Sequence, residues 1–399
     1  MTADQWPWLV ATVAWVLLHL VVMLRARDTR SIDEYPPAPG DEPPLVSVII
    51  PARNEARSIE RCVRSVIESS WPRLEVIVVD DHSTDGTGEI VRRLGAQTSR
   101  AVRVIEAPPL PAGWFGKQWA CHSGASVARG SLLCFTDADT HHGPELLARS
   151  VNAMAARGSH LFTVAGTQEM GTFWEKVIQP YVFTFLQSHY GGVERISRSR
   201  DPERKIANGQ FIIARRDTYD AMHGHEAVRS HVAEDLRLAQ TWTAAGLNVH
   251  IMMADGHLFT RMYTSLAELR RGWGKNVFAG GRDALFVASR SRVLRALFPI
   301  GLPIASMLPL LPWVVLALAG VDLAPIRLAP MNGALVFGLV GTAVSLAGWA
   351  MAYRRAGLSP LWGLSHPLAA LAFGAICTEA AWRGSRVEWK GREYVSRSA

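Results

Sequence analysis

Residues Trp6–Leu24 (WPWLVATVAWVLLHLVVML) form an apolar run in which His19 is the one polar side chain of note. At about 1.5 Å per residue the run is long enough for a bilayer core of roughly 30 Å. A cleaved signal peptide fits poorly. No basic stretch precedes the run, no small-x-small cleavage site follows it, and Arg25, Arg27 and Arg30 come directly after. The reading is a retained membrane helix. Those arginines, against lone Asp4, predict an N-terminus outside and residue 25 onward in the cytoplasm.

Three further apolar blocks lie at the far end, at 297–320, 331–353 and 360–382. Four crossings would leave the tail outside. That tail carries Arg383, Arg386, Lys390, Arg392 and Arg397 against Glu388 and Glu393, which favours the cytoplasm. One block is therefore expected to be re-entrant or interfacial. The candidate is 297–320, broken by Pro299, Pro303, Pro309 and Pro312, whose freed backbone groups need protein or water partners. The chain averages, 49% hydrophobic and 19% charged over 399 residues, exclude a disordered chain. Four cysteines exclude a disulfide scaffold, and no repeat period is visible.

Between the flanks, roughly Pro43 to Ala284, the pattern changes. Val46–Pro51 is a short β-branched run of the kind buried on both faces of a sheet. Ile59, Cys62, Val63, Val66 and Ile67 then form a helical stripe. Strands are predicted at Val76–Val79, Val102–Ile105 and Leu132–Thr136, with helices at Thr87–Leu94, Gln118–Ala128 and Glu145–Ala156. Strands alternating with helices predict a mainly parallel α/β sheet, which binds ligands beyond its carboxyl ends. Polar clusters follow three of these strands: Ala52-Arg53-Asn54-Glu55, Asp80 to Thr87, and Asp137-Ala138-Asp139. Asp85 taken alone reads as a helix cap. An Asp-x-Asp at a strand end can share Mg²⁺ or Mn²⁺, whose shell is completed by phosphate oxygens.

PARNEA, VDDHSTDGT and FTDADT, in this order, resemble glycosyltransferase family 2 over about residues 45–275. The resemblance implies a GT-A nucleotide-sugar-binding, Rossmann-like and mostly parallel domain with flanking transmembrane helices. It implies a nucleoside pocket lined by Ala52, Glu55 and Asp80, with Asp81 the less certain of its pair. It places Lys117, in GWFGKQWACHSGASVARGS, near the nucleotide, and Asp137 with Asp139 at the diphosphate and a divalent cation. The family sets its base in an acidic pair at a helix start beyond the sheet. Glu234-Asp235 before Leu236, Leu238 and Ala239 fits, with Asp235 the expected base and Glu234 second; dipole capping is the plainer alternative.

Processive members carry Gln-x-x-Arg-Trp. Here Arg270-Arg271-Gly272-Trp273-Gly274-Lys275-Asn276 stands instead, with no matching Gln. RGWGKN and the tail VEWKGREY look more like hopanoid-associated and carotenoid glycosyltransferases of bacteria. The expectation is a metal-assisted inverting enzyme of a bacterial-type inner membrane, moving one sugar from a nucleotide diphosphate sugar to a lipid. Arg271 and Trp273 are expected on the acceptor or product side. A processive polysaccharide synthase and an inactive scaffold are the alternatives. The expected domains are 1–30, 43–284 and 285–399.

Aromatic residues crowd a helix predicted over Thr172–Tyr190, as ordinary core or as a shelf at the membrane surface. From Thr264 to Arg295 there are seven basic residues and two acidic ones, a net +5 of the chain's +7, suited to an anionic leaflet rather than nucleic acid. No metal role is expected for His82, His141, His142, His223 or His225. Cys62, Cys121 and Cys134 read as buried apolar residues. Asn208-Gly209-Gln210 is either a turn or part of the acceptor side.

Overall fold

The computed structural model describes residues 5–286, 292–320, 331–384, 386–389 and 392–395. Helix α1 (Trp6–Arg25) leads by a short segment into the α/β region. This segment is tied down. Ile32 is fully buried, Met253 N donates to Arg30 O at 2.8 Å, and Gly192 N donates to Arg25 O at 2.9 Å. The apolar helix is thus joined to the α/β domain without a free linker.

The chain then alternates β1 (Val46–Ala52), α2 (Ile59–Ile67), β2 (Leu74–Asp80), α3 (Thr87–Gly95), β3 (Ala101–Glu106), α4 (Gly116–Val127) and β4 (Leu132–Thr136). A short β5 (Thr140–His142), α5 (Leu146–Ala156) and β6 (Leu161–Gln168) follow. Next come α6 (Phe173–Tyr190), α7 (Val193–Arg198), β7 (Phe211–Arg215), α8 (Arg216–Ala221), α9 (Glu234–Ala244) and β8 (Val249–Thr260). The eight strands form one sheet in the order β3-β2-β1-β4-β7-β6-β8-β5.

The half read from sequence, β3-β2-β1-β4, is parallel throughout. The other half is mixed, and four of the seven strand pairings in the whole sheet are parallel, as the mostly parallel expectation has it. β7 runs antiparallel to both β4 and β6, and β5 antiparallel to β8, while β6 and β8 are parallel. The β-branched run of β1 is buried on both faces. Val48 and Ile50 meet Ile59, Cys62, Val63 and Val66 on one side; Ile49 joins Ala120, Cys121 and Trp242 on the other. Full burial of each such side chain contributes about 1.5–3 kcal/mol. The two layers fix the strand ends that carry the polar clusters.

After β8 come α10 (Leu266–Phe286), α11 (Arg292–Met307), α12 (Leu311–Gly320), α13 (Met331–Arg355) and α14 (His366–Arg383). A tail hairpin of β9 (Arg386–Trp389) and β10 (Arg392–Val395) pairs antiparallel. Among the described residues, four helical segments are long and apolar enough to cross a membrane: Trp6–Arg25, Leu297–Ala319, Gly333–Arg355 and Pro360–Arg383. The Pro-rich block is helical with one break, a 3-10 turn at Leu308–Leu310 between α11 and α12. Pro309 has no N–H to continue a ladder there.

Helix α6 starts at a capping box between Thr172 and Glu175. Its aromatic residues mostly pack on the apolar helices. Tyr181 stacks on Trp349 with centroids 4.5 Å apart, and Phe185 meets Phe373 at 5.5 Å. Phe173 remains exposed. Most of the expected shelf is therefore a joint between the α/β domain and the apolar helices.

Candidate active site

Three turns meet at the carboxyl edge of the parallel strands. β1 and β2 end in register, with Ala52 opposite Asp80. The loops beyond them are bound together: Asp85 accepts from Ala56 N at 2.9 Å and Thr87 N at 3.1 Å, and Asn54 Oδ1 accepts from Thr84 N at 2.9 Å. Asp85, one residue before the N-cap Gly86, thus serves the first N–H of α3 and ties the two loops together. Asn54 and His82 hold left-handed φ values of 53° and 55°. Such backbone in a non-glycine residue costs about 1–3 kcal/mol and persists where surroundings over-determine it.

A cleft of about 2400 Å³ opens above this edge. Glu55, Lys117, Asp137, Asp139, Glu234, Asp235, Arg271 and Trp273 all line it, so most of the residues read from sequence come together. Ala52, Asp80 and Asp81 do not reach its lining. Ala52 is buried, and Asp80 Oδ1 accepts from Ser83 N at 2.9 Å. Asp81 is buried beside Arg53, whose guanidinium donates to its carbonyl oxygen at 2.6 Å.

Lys117, in the first turn of α4, bridges two carboxylates: Asp137 Oδ1 at 2.8 Å and Glu234 Oε1 at 2.9 Å. Burial alone would depress its ammonium, but Asp137 and Glu234 override this and hold its pKa well above the usual value. Burial likewise disfavours the charged Glu234, and the Lys117 ion pair overcomes it, leaving that carboxyl below its usual range. Asp235 differs. It has no cation within ion-pair distance among the described residues, and accepts from Gly209 N at 2.8 Å and Leu236 N at 2.7 Å. Burial, then the adjacent Glu234 charge, pushes Asp235 up to about 6. Of the acidic pair, Glu234 is engaged and Asp235 is poised to take a proton.

Asp139 is pushed up to about 7 by burial, then by Asp137 and Glu55. Its Oδ1 is buried without a hydrogen-bond partner among the described residues. A buried carboxylate oxygen with no donor, beside a second carboxylate, fits a hard divalent cation that takes its remaining ligands from phosphate.

Sequence reasoning undervalued two positions. Gly209 sits where a Cβ would lie 3.0 Å from Asp235 Oδ2 and 3.1 Å from Lys117 Nζ. Gly209→Ala should displace both side chains and lower turnover by about tenfold or more, a 1.4 kcal/mol effect, with the melting temperature little changed. Equal turnover would show that the site absorbs the methyl. Lys275 also lines the cleft, one turn beyond Arg271. Burial lowers its pKa although Glu234, Asp137 and Asp235 pull the other way. Its i+4 spacing from Arg271 was the available signal. Part of the basic stretch thus faces the cleft rather than a leaflet. Arg290 lies outside the described residues, as do the side chains of Arg282, Arg292 and Arg295. His142 hydrogen-bonds Thr136 Oγ1 at 3.0 Å inside the core, and the four cysteines are free and buried.

Residues 47–222 match the model of glycosyl transferase family 2. The 4,4'-diaponeurosporenoate glycosyltransferase of Staphylococcus haemolyticus is 28% identical over 250 residues, covering 60% of this chain and 63% of that protein. The match thus spans just under two thirds of that relative's length. The enzyme of the same name from Staphylococcus aureus is 27% identical over 360 residues, 88% of each chain. Among solved structures, a mannosyltransferase from Pyrobaculum calidifontis in complex with GDP-Man and Mn²⁺ superposes with a TM-score of 0.54. It is 19% identical and covers 92% of this chain and 98% of its own. With a mixed sheet of this order and its acidic strand ends, the chain has the GT-A fold, and its residues 47–222 are similar to glycosyl transferase family 2.

Proposed function

We propose that this protein is a membrane-bound inverting glycosyltransferase that moves one sugar from a nucleoside diphosphate sugar to a lipid acceptor. The observation that carries the reading is the course of the cleft. From Asp137, Asp139 and Asp235 it continues without a wall past Phe183 of α6 and Trp273 and Val277 of α10 to Phe298, Leu302 and Ile376 on the apolar helices. A polar acid cluster opening onto apolar walls suits a substrate with a reactive oxygen at one end and hydrocarbon behind it. The staphylococcal relatives, named for a carotenoid acceptor, support the same class.

In this reading Asp235 accepts the proton of the acceptor hydroxyl. The freed oxygen attacks the anomeric carbon, and the bond to the diphosphate breaks with its electron pair leaving on the nucleotide. Lys117 orders Asp137 and Glu234 around the diphosphate. Asp137 and Asp139 would hold Mg²⁺ or Mn²⁺, which when bound neutralises charge on the leaving group. Trp273 and Arg271 flank the acceptor. The α/β domain (43–284) is placed on the cytoplasmic face of a bacterial-type inner membrane, with 1–30 and 285–399 forming the membrane part.

The test is a panel of nucleotide sugars with Mn²⁺ and membrane extract, reading radiolabel in the organic phase. Transfer from at least one donor is expected; inertness across the panel favours the scaffold. The same assay gives a pH profile. A base raised to about 6 is protonated and silent below that pH. Transfer should therefore fall as pH drops through about 6, above an ordinary carboxylate's range. A flat profile down to pH 4.5 would remove Asp235 as the base.

A further inference from the structure

The four apolar segments are placed unequally. Helix α13 serves as a ruler, because three elements meet it at known heights. Trp8 lies against Gly333, Trp15 Nε1 donates to Ser345 Oγ at 3.1 Å, and His19 lies against Gly348. Thus α1 runs parallel to α13 along most of its length, and both end at the cleft, at Ala26 and Arg355. Gly341 lies against Pro312 and Gly338 against Leu316, so α12 runs antiparallel to α13. The Pro-rich block therefore climbs from the cleft, at Leu297 and Phe298, to the far half of α13.

Pro360–Arg383 does not climb. Gly363 packs on the backbone of Ala350, and His366 stacks on Trp349 with centroids 5.7 Å apart. Trp349 is six residues from Arg355, so α14 begins only about 9 Å above the end of α13. Its other end returns to the α/β domain. Ile376 and Ala380 lie against Gly274 of α10, and Glu379 pairs with Arg270 at 3.4 Å. Ile376, Glu379, Arg383 and Gly384 line the same cleft as Arg355 and Gly357. A crossing helix separates its ends by roughly 30 Å along the membrane normal. The helix is also two-faced. Ala369, Ala370, Phe373, Ile376, Cys377 and Ala380 are buried, while Leu361, Leu364, Leu368, Leu371 and Trp382 are exposed.

We propose that Pro360–Arg383 lies within the leaflet on the catalytic side, its leucine face against acyl chains, and does not cross. The chain then crosses three times, through α1, the α11–α12 block and α13. This rests on the membrane-bound reading above. It places the tail from Arg383 onward on the catalytic side, where its five basic residues against two acidic ones suit the positive-inside rule. The block that fails to cross is the last one rather than the Pro-rich one. In this arrangement α14 forms the floor of the cleft where it meets the bilayer, with Trp382 at the headgroup level.

The experiment uses full-length chains with one added cysteine each, Glu68→Cys, Asp322→Cys or Ser398→Cys, and an impermeant maleimide. The native cysteines are buried. In intact cells only Asp322→Cys should label; in inverted vesicles Glu68→Cys and Ser398→Cys should label together. Labelling of Ser398→Cys in intact cells would mean a fourth crossing and overturn the proposal. Labelling of Asp322→Cys on the same side as Glu68→Cys would remove the crossings themselves, overturning the membrane reading along with this one.

Discussion

Replacing Asp235 by Asn is expected to lower transfer to a hydroxyl acceptor by about 10²–10⁴-fold, the usual contribution of a positioned general base. The substitution keeps the shape and removes the basicity. Glu234 does not compensate, because its carboxylate is held by Lys117 at 2.9 Å. Donor binding should persist, since Asp137, Asp139 and Lys117 are untouched. An amide offers one oxygen where Gly209 N and Leu236 N now address two. One backbone donor is left poorly served, at about 1–3 kcal/mol. The variant must therefore be compared at a temperature where it remains folded, with nucleotide binding measured alongside turnover. Undiminished transfer would show that the acceptor oxygen arrives already ionised, as a carboxylate does, and would remove Asp235 from the chemistry.

Asp139→Ala should produce the opposite pairing of effects on activity and stability. Burial and Asp137 disfavour the ionised Asp139 in the folded chain. A carboxyl raised in the folded state destabilises it as pH rises above the unfolded value. Removing the group should leave the melting temperature at pH 7.5 unchanged or higher in the absence of divalent ions. Turnover should fall by about 10²-fold or more, since cation stabilisation of the leaving group is worth several kcal/mol. The stabilisation that Mn²⁺ plus nucleoside diphosphate is expected to give the parent should vanish. A variant that keeps that ligand-induced shift would place the cation elsewhere.

The parallel half of the sheet was legible because its signals are local. Val46–Ala52 and Leu132–Thr136 are continuous apolar runs, and each is followed within two residues by its own polar cluster. The antiparallel half was not. β7 pairs with β4 and β6 across long excursions, and nothing in Phe211–Arg215 declares which neighbours or direction it takes. The acidic strand ends were readable as a group, but not which members face the cleft. Asp80 and Asp81 are adjacent in sequence, yet one is spent on a turn and the other beside Arg53. The aromatic residues of α6 were ambiguous because their partners, Trp349 and Phe373, lie over 160 residues away. Lys275 looked like one more charge in a basic stretch, since only the packing of α10 turns it toward Glu234 and Asp235.

Mass spectrometry of the lipid product bears most directly on single transfer to a membrane acceptor. Purified protein in a bilayer, given its active donor, Mn²⁺ and membrane lipid, should yield organic-phase products heavier than an acceptor by one sugar and no more. A ladder of masses spaced by one sugar would contradict the account and show a polymerising enzyme.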